Sequence, residues 1–163
     1  MKKTSFTATL LLAILSLTTS LILSACGGPL GPLGGGKLSG EEATLPNGDW
    51  SFAQGIEVVQ LETQPADPQS INIWIGVLDD QLYLPTSLIL GEEDPAERGW
   101  VQQVTANPSI RLRVNGVVYP AQAQRVSDAA LIAQVKSFML QKYEEEATPQ
   151  SDKAWIYRID PRP

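Results

Sequence analysis

The chain has one cysteine and no histidine. Imidazole bases and imidazole metal ligands are therefore excluded, and no disulfide can close within the chain. Cys26 is the single thiol. Further along, Thr86 and Ser87 place two hydroxyls side by side in Leu84-Pro85-Thr86-Ser87. Hydroxyls of this kind hydrogen-bond phosphate oxygens, although an ordinary strand-end turn uses the same residues. Arg98 can supply the positive charge that a phosphate site needs, or it can pair with Glu97, Asp94 or Glu93. Trp100 can line a cleft, or it can anchor a short helix in the core. Arg111 and Arg113 share one strand face and read as outward, solvated charges. The acidic runs Glu92-Glu93-Asp94 and Glu144-Glu145-Glu146 lack the spacing of a metal loop, so no metal site is expected.

These residues must be positioned by elements that the patterning makes legible. Glu57–Thr63 reads as a strand ended by Pro65-Ala66-Asp67-Pro68. Ile71–Leu78 alternates cleanly: Ile71, Ile73, Ile75 and Val77 share one face. Trp74 falls on the other face, toward a crevice or a dimer seam. Asp79-Asp80 is a turn and Gln81–Leu84 the returning strand. Pro85 should interrupt that strand, so that Thr86 leaves the ladder or lies on an edge.

Asp94, Pro95 and Glu97 have the chemistry of a helix start. Ala96, Trp100, Val101 and Val104 follow on one face, and Asn107-Pro108 stops the helix. Asn115-Gly116 sits between strands Ile110–Val114 and Val117–Val126 and predicts a two-residue hairpin turn. Ser127 or Asp128 caps a final helix, Ala129–Glu145, with a stripe of Leu131, Ile132, Val135, Phe138 and Met139. Trp155–Ile159 closes the chain as a strand. Hairpin-linked strands without βαβ alternation give a mainly β fold with two helices, an antiparallel barrel in one domain.

The first 26 residues have a different character. Lys2 and Lys3 precede an apolar run, Leu10–Leu23, interrupted by Ser16, Thr18, Thr19 and Ser20. The run is too short and hydroxyl-rich to span a bilayer and has the layout of a secretion signal. Leu23-Ser24-Ala25-Cys26 resembles the lipobox of bacterial lipoproteins. The resemblance implies a signal peptide over 1–25, cleavage before Cys26, and diacylglycerol on its sulfur, which would leave no free thiol. The membrane is then a partner through the lipid anchor. Gly27, in place of the aspartate that marks inner-membrane retention, leans toward the outer membrane and a periplasmic domain. GGPLGPLGGG, residues 27–36, has the composition of a flexible tether, and the expected organisation is a lipidated linker over 26–47 and a folded domain over 48–163.

The formal charge of −6 falls further once Lys2 and Lys3 are removed. No basic cluster offsets it, so nucleic acid is not expected as a partner.

Trp100–Ala123 (WVQQVTANPSIRLRVNGVVYPAQA) resembles a segment of the split-barrel flavin and deazaflavin oxidoreductases, which include the pyridoxamine-phosphate-oxidase-like proteins and the deazaflavin-dependent nitroreductases. Asp80–Leu84 is similar to their hairpin before the helix. The resemblance implies an antiparallel split β-barrel, FMN or deazaflavin as cofactor, a homodimer, and Thr86, Ser87, Arg98 and Trp100 as cofactor-binding residues, with Trp100 stacking on the flavin ring. Two departures stand against it. Gln64–Ser70 lacks the glycine and arginine of the family's phosphate loop, and Gln103 and Val104 stand where the family has an asparagine. Two functions therefore remain: a non-catalytic, membrane-anchored ligand-binding or interaction domain, or a flavin- or deazaflavin-dependent oxidoreductase of the nitroreductase or quinone reductase type.

Overall fold

A computed structural model describes residues 27–86, 94–143 and 153–162. Cys26 and Ser87 lie outside them, as do the signal segment and the acidic runs at 92–93 and 144–146. In chain order the strands and helices are β1 (Glu41–Glu42), β2 (Val58–Thr63), β3 (Gln69–Trp74), β4 (Gly76–Leu78), β5 (Gln81–Pro85), α1 (Gly99–Ala106), β6 (Ser109–Val114), β7 (Val117–Arg125), α2 (Ala129–Tyr143) and β8 (Ile156–Pro161).

The sheet runs β3-β2-β6-β7-β8-β5-β4, and every pairing along this path is antiparallel. The two-residue β1 pairs parallel with β7 at Val117–Val118, ahead of the residues that pair with β8. The end strands β3 and β4 are consecutive in the chain, separated by Ile75 alone. The stretch expected as one strand over Ile71–Leu78 thus divides, pairing first with β2 and then with β5. One straight strand could not reach both neighbours, and the bend at Ile75 draws the two ends of the sheet together. The alternation survives the bend: Ile73, Ile75 and Val77 are buried and Ile71 is half-buried against the same core. The result is an antiparallel split barrel with two α-helices among the described residues.

Inward side chains of β2 to β8 fill the barrel, including Leu61, Leu84, Ile110, Leu112 and Ile159, together with Ile75 at the bend, and Trp100, Val101 and Val104 of α1 close on them. A second cluster lies outside the barrel, where Val135 and Met139 of α2 meet Tyr83 and Ile156. Gly76 permits that approach, since a Cβ there would fall 2.5 Å from the Met139 sulfur. The turn chemistry is as expected: Asn115 and Gly116 have φ of 50° and 86°, and Asp79 and Asp80 have φ of 50° and 61°, the positive-φ pairs of tight hairpins. Asp128 caps α2 by accepting from the Leu131 amide.

Several expectations need correcting. Asp94 caps a 3-10 turn, Pro95–Glu97, rather than α1. Arg98, at φ −67° and ψ 128°, separates that turn from α1, and Ala96 is exposed instead of sharing the buried face. Pro85 stays within β5, paired with Ile156. Its missing N–H costs no pairing with β8, because the bonds to β8 are made by alternate residues and the Pro85 nitrogen points away.

Arg111 and Arg113 do point out of the barrel, but they are not simply solvated. Arg111 donates twice to Glu62, at 2.9 Å each, once to the Leu38 carbonyl and once to Glu42. Its side chain is 11% exposed and that of Glu62 3%. The register places Glu62 directly opposite Arg111, so opposite charges meet across the pair. Arg113 donates to the Ser39 carbonyl.

What covers them is the segment expected to be a loose tether. Gly35 and Ser70 exchange backbone hydrogen bonds at 2.8 Å, Asn72 donates to the Gly31 carbonyl, and Leu38 is buried with its amide on Glu62. The glycines serve close approach here rather than freedom. A Cβ on Gly35 would lie 2.4 Å from the Gly28 carbonyl carbon, so the two backbones touch where side chains would hold them apart.

The C-terminal turn of α2 clasps the bend at Ile75. Lys142 donates to the Ile75 and Ile56 carbonyls, and the Tyr143 hydroxyl lies 2.6 Å from the Ile75 carbonyl and 2.7 Å from that of Glu57. Burial pushes the Tyr143 hydroxyl from 10.0 up to about 12. The folded state holds this proton more tightly than the unfolded chain. The stabilisation is therefore complete below pH 10 and disappears as pH rises through about 12. Screening at this half-buried site keeps it to roughly 1 kcal/mol. Urea titrations between pH 9 and 12 should show the loss in the natural protein and a flatter profile in Tyr143→Phe; identical profiles would contradict the assignment.

Candidate functional site

Two grooves flank α1. The first has a volume of about 560 Å³ and lies between the N-terminal end of α1, the β2–β3 turn and Gly34-Gly35. Its polar wall comes from Thr63, Gln69, Ser70 and Gln103. The register sets Thr63 opposite Gln69 and Glu62 opposite Ser70. Gln103 reaches across from α1, donating to the Gln69 side chain at 2.7 Å and accepting from the Thr63 hydroxyl. Thr63 and Ser70 are buried, so this network ties α1 to the hairpin.

Arg98 and Trp100 complete the groove, beside Glu97 and Gly99. Arg98 precedes the first residue of α1 and is half-buried. It makes no ion pair with Glu97 or Asp94 among the described residues, and its Nε is fully enclosed without a hydrogen-bond partner. The first helical bond of α1 runs from the Gln102 amide to the Arg98 carbonyl. The amides of Gly99, Trp100 and Val101 precede it and have no acceptor within the helix. A guanidinium and a helix N-terminus thus converge on one cleft, an arrangement suited to an anionic group. Trp100 is almost wholly buried and meets Tyr157 edge-on, with ring centres 5.2 Å apart. It is mainly a core anchor that lends an edge to the groove, with little surface for a stacked ring.

The second groove, about 540 Å³, lies at the other side of α1 and is largely apolar, with Val101, Thr105, Ala123, Arg125, Trp155 and Tyr157 among its residues. The Arg125 guanidinium sits 3.3 Å from the centre of the Trp155 ring, a cation–π contact. Burial raises the Tyr157 hydroxyl above the ordinary tyrosine value, opposed by the charge of Arg125 and a hydrogen bond with Thr105.

Of the four residues expected to bind a cofactor, the structure brings Arg98 and Trp100 together. Thr86 lines neither groove. It is fully buried, its amide donates to the Trp155 carbonyl, and its hydroxyl accepts from the Trp155 amide at 2.7 Å. Its hydroxyl extends the β5–β8 ladder past Pro85 and is not free for a phosphate. Ser87 is outside the described residues. Trp74 is half-buried with its ring 5.7 Å from that of Tyr143, packed on the end of α2. Among the described residues the flavin set is therefore only partly assembled: Arg98 stands in the groove, whereas the Thr86 hydroxyl is engaged with Trp155 and Trp100 offers little stacking face.

Sequence reasoning missed Thr63, Gln69 and Ser70. Reading the turn at Gln64–Pro68 as a hairpin would have paired Thr63 with Gln69 and pointed to a polar rim.

No family profile matches the sequence, and no curated protein matches it. Solved structures do resemble it. A candidate pyridoxamine 5′-phosphate oxidase from Listeria innocua is 15% identical, with a TM-score of 0.51 over 69% of this chain and 90% of that one. The heme storage protein of Vibrio cholerae is 18% identical, with a TM-score of 0.52 over 69% of this chain and 87% of that one. A structure described as a domain-swapped dimer is 15% identical, with a TM-score of 0.53 over 64% of this chain and 81% of that one. At such identities the likeness carries the fold and nothing finer: this chain is a split-barrel protein.

Proposed function

We propose that the chain is an envelope lipoprotein whose split barrel binds a small anionic ligand without transforming it. Cys26 carries the lipid, and the barrel faces the periplasm from the outer membrane. The observation that carries the ligand reading is Arg98, a guanidinium with its Nε enclosed and unpartnered among the described residues, set at the N-terminus of α1 in the first groove. A buried donor without an acceptor is costly, and a bound phosphate or carboxylate removes that cost with charge-assisted hydrogen bonds. The groove volume, about 560 Å³, is that of a small-molecule site. Its one carboxylate among the described residues, Glu97, is exposed, and the chain has no histidine to serve as a general base. The groove is furnished to hold an anion rather than to move protons.

A second reading, a flavin- or deazaflavin-dependent oxidoreductase, is favoured by the likeness to the Listeria candidate oxidase. A flavin would supply hydride chemistry when bound, and Arg98 would hold its phosphate. The domain-swapped dimer among the similar structures supports testing for a homodimer under either reading.

Titration of the full chain with FMN, and separately with inorganic pyrophosphate, tests the site. Both anions should bind, and Arg98→Ala should weaken each at least tenfold while thermal stability stays within a few degrees. Binding of FMN with a substrate-reducible flavin spectrum would favour the oxidoreductase. Binding of neither, or binding indifferent to Arg98→Ala, would refute the anion site.

A further inference from the structure

Five large apolar side chains among the described residues are notably exposed, and two stand apart: Leu30 at 78% and Leu33 at 66%. They are neighbours in an ordered turn. Each donates its amide to the other's carbonyl, at 3.1 and 3.0 Å, with Gly31 at φ 56° and Pro32 between them. Residues paired in this way project to the same side. The turn is also fastened to the barrel. Asn72 donates to the Gly31 carbonyl, Gln60 donates to the Pro29 carbonyl, and Gly35 pairs with Ser70. Two leucines are therefore held out into solvent by a backbone bonded on both sides. No charged residue lies between Gly27 and Gly36.

We propose that the Leu30–Leu33 turn is a membrane-contacting tip whose side chains enter the lipid surface that anchors the chain. The inference rests on the lipid-anchored reading of Cys26 and deepens it. Leu30 follows Cys26 by four residues, so even a fully extended chain keeps it within about 14 Å of the anchored sulfur. The occupant must then be something found at the bilayer surface. Charge does not draw the domain there, because the chain is acidic at −6 and anionic headgroups attract basic segments. Apolar insertion is the complementarity that the turn offers, and it is the second signal that steadies a lipid anchor. Because the turn is bonded to β2 and β3, insertion fixes the side of the barrel that faces the membrane. α2, packed outside Tyr83 and Ile156, covers a different side.

The test uses the full-length lipidated protein in vesicles of phosphatidylethanolamine and phosphatidylglycerol doped with a doxyl-labelled phospholipid. A polarity-sensitive dye is placed at Leu30→Cys or, as control, at Ser137→Cys on the exposed side of α2. Acylated Cys26 does not react with the dye. The position-30 dye should be quenched several-fold more than the position-137 dye, with its emission shifted to shorter wavelength. Leu30→Ser/Leu33→Ser should retain the thermal midpoint yet leave a dye at position 31 unquenched.

Equal quenching at positions 30 and 137 overturns the tip while leaving the anchor intact. A position-30 dye buried in native envelopes but exposed in protein-free vesicles also overturns it, in favour of a protein partner. The mass of the N-terminal peptide reports the anchor separately: an unmodified Cys26 removes the lipoprotein reading and the tip with it.

Discussion

Replacing Arg111 with alanine should destabilise the protein by about 3 kcal/mol, near the lower end of what removing one partner of a buried ion pair costs. The residue left behind is the reason. Glu62 is 3% exposed, and without Arg111 its carboxylate keeps, among the described residues, only the Leu38 amide as a donor. Burying a charge without its partner is far more costly than never having had the pair. The double replacement Arg111→Met/Glu62→Met should therefore recover most of the loss, and urea denaturation of the four proteins gives the coupling between the two sites. The single variant should also loosen Leu38–Glu42, which this pair holds through Leu38 and Glu42, and limited proteolysis would then cut there first. A loss under 1 kcal/mol for Arg111→Ala would show that the carboxylate finds water, and that the N-terminal segment does not seal the pair.

Trp50→Ala should cost at least as much, about 3–5 kcal/mol. Trp50 is fully buried in the main core, with its ring against Phe52 and Tyr119. Its amide donates to Asp80 in the β4–β5 turn and its indole N–H to the Ile159 carbonyl at 3.2 Å. It thus closes the end of the barrel where that turn emerges, and alanine would leave a cavity open toward solvent. Trp50→Phe separates the two contributions. It keeps much of the volume and loses the indole donor, while the Ile159 carbonyl still accepts from Gln81. Its cost should be about 1 kcal/mol beyond the small change in volume. A phenylalanine variant as unstable as the alanine variant would place the stabilisation in the hydrogen bond rather than in packing.

Much of the scaffold was legible because the signals are short in range. Asn115-Gly116 needs positive φ wherever it occurs, and Asp128 caps a helix with residues three positions away. The Ile71–Val77 alternation marks a core face before any partner strand is known. The same patterns were silent about Trp50, which sits in no periodic run. They misled where composition stood in for contact. GGPLGPLGGG has the make-up of a free tether, yet glycine is also the residue that lets a backbone lie flat on another, and a sheet edge was available to receive it. Thr86 and Ser87 looked like a phosphate pair, but whether Thr86 is free depends on Trp155, 69 residues away.

The sequence by itself determined the antiparallel strands, the two hairpin turns, the two amphipathic helices and the pair Arg98–Trp100 as a place to look. It also determined, through the absence of histidine, which chemistry the chain lacks. Only the tertiary structure decided that β3 and β4 bend apart at Ile75 to close the barrel, and that Glu62 and Arg111 share a buried charge pair. Only it showed that Arg98, unpaired among the described residues, stands in a groove walled by Thr63, Gln69, Ser70 and Gln103, while Leu30 and Leu33 are held out from the surface. The physical reason is common to all of these. Periodicity and turn propensity act within a few residues, whereas burial, charge pairing and exposure depend on strands and segments that meet only after the sheet has closed.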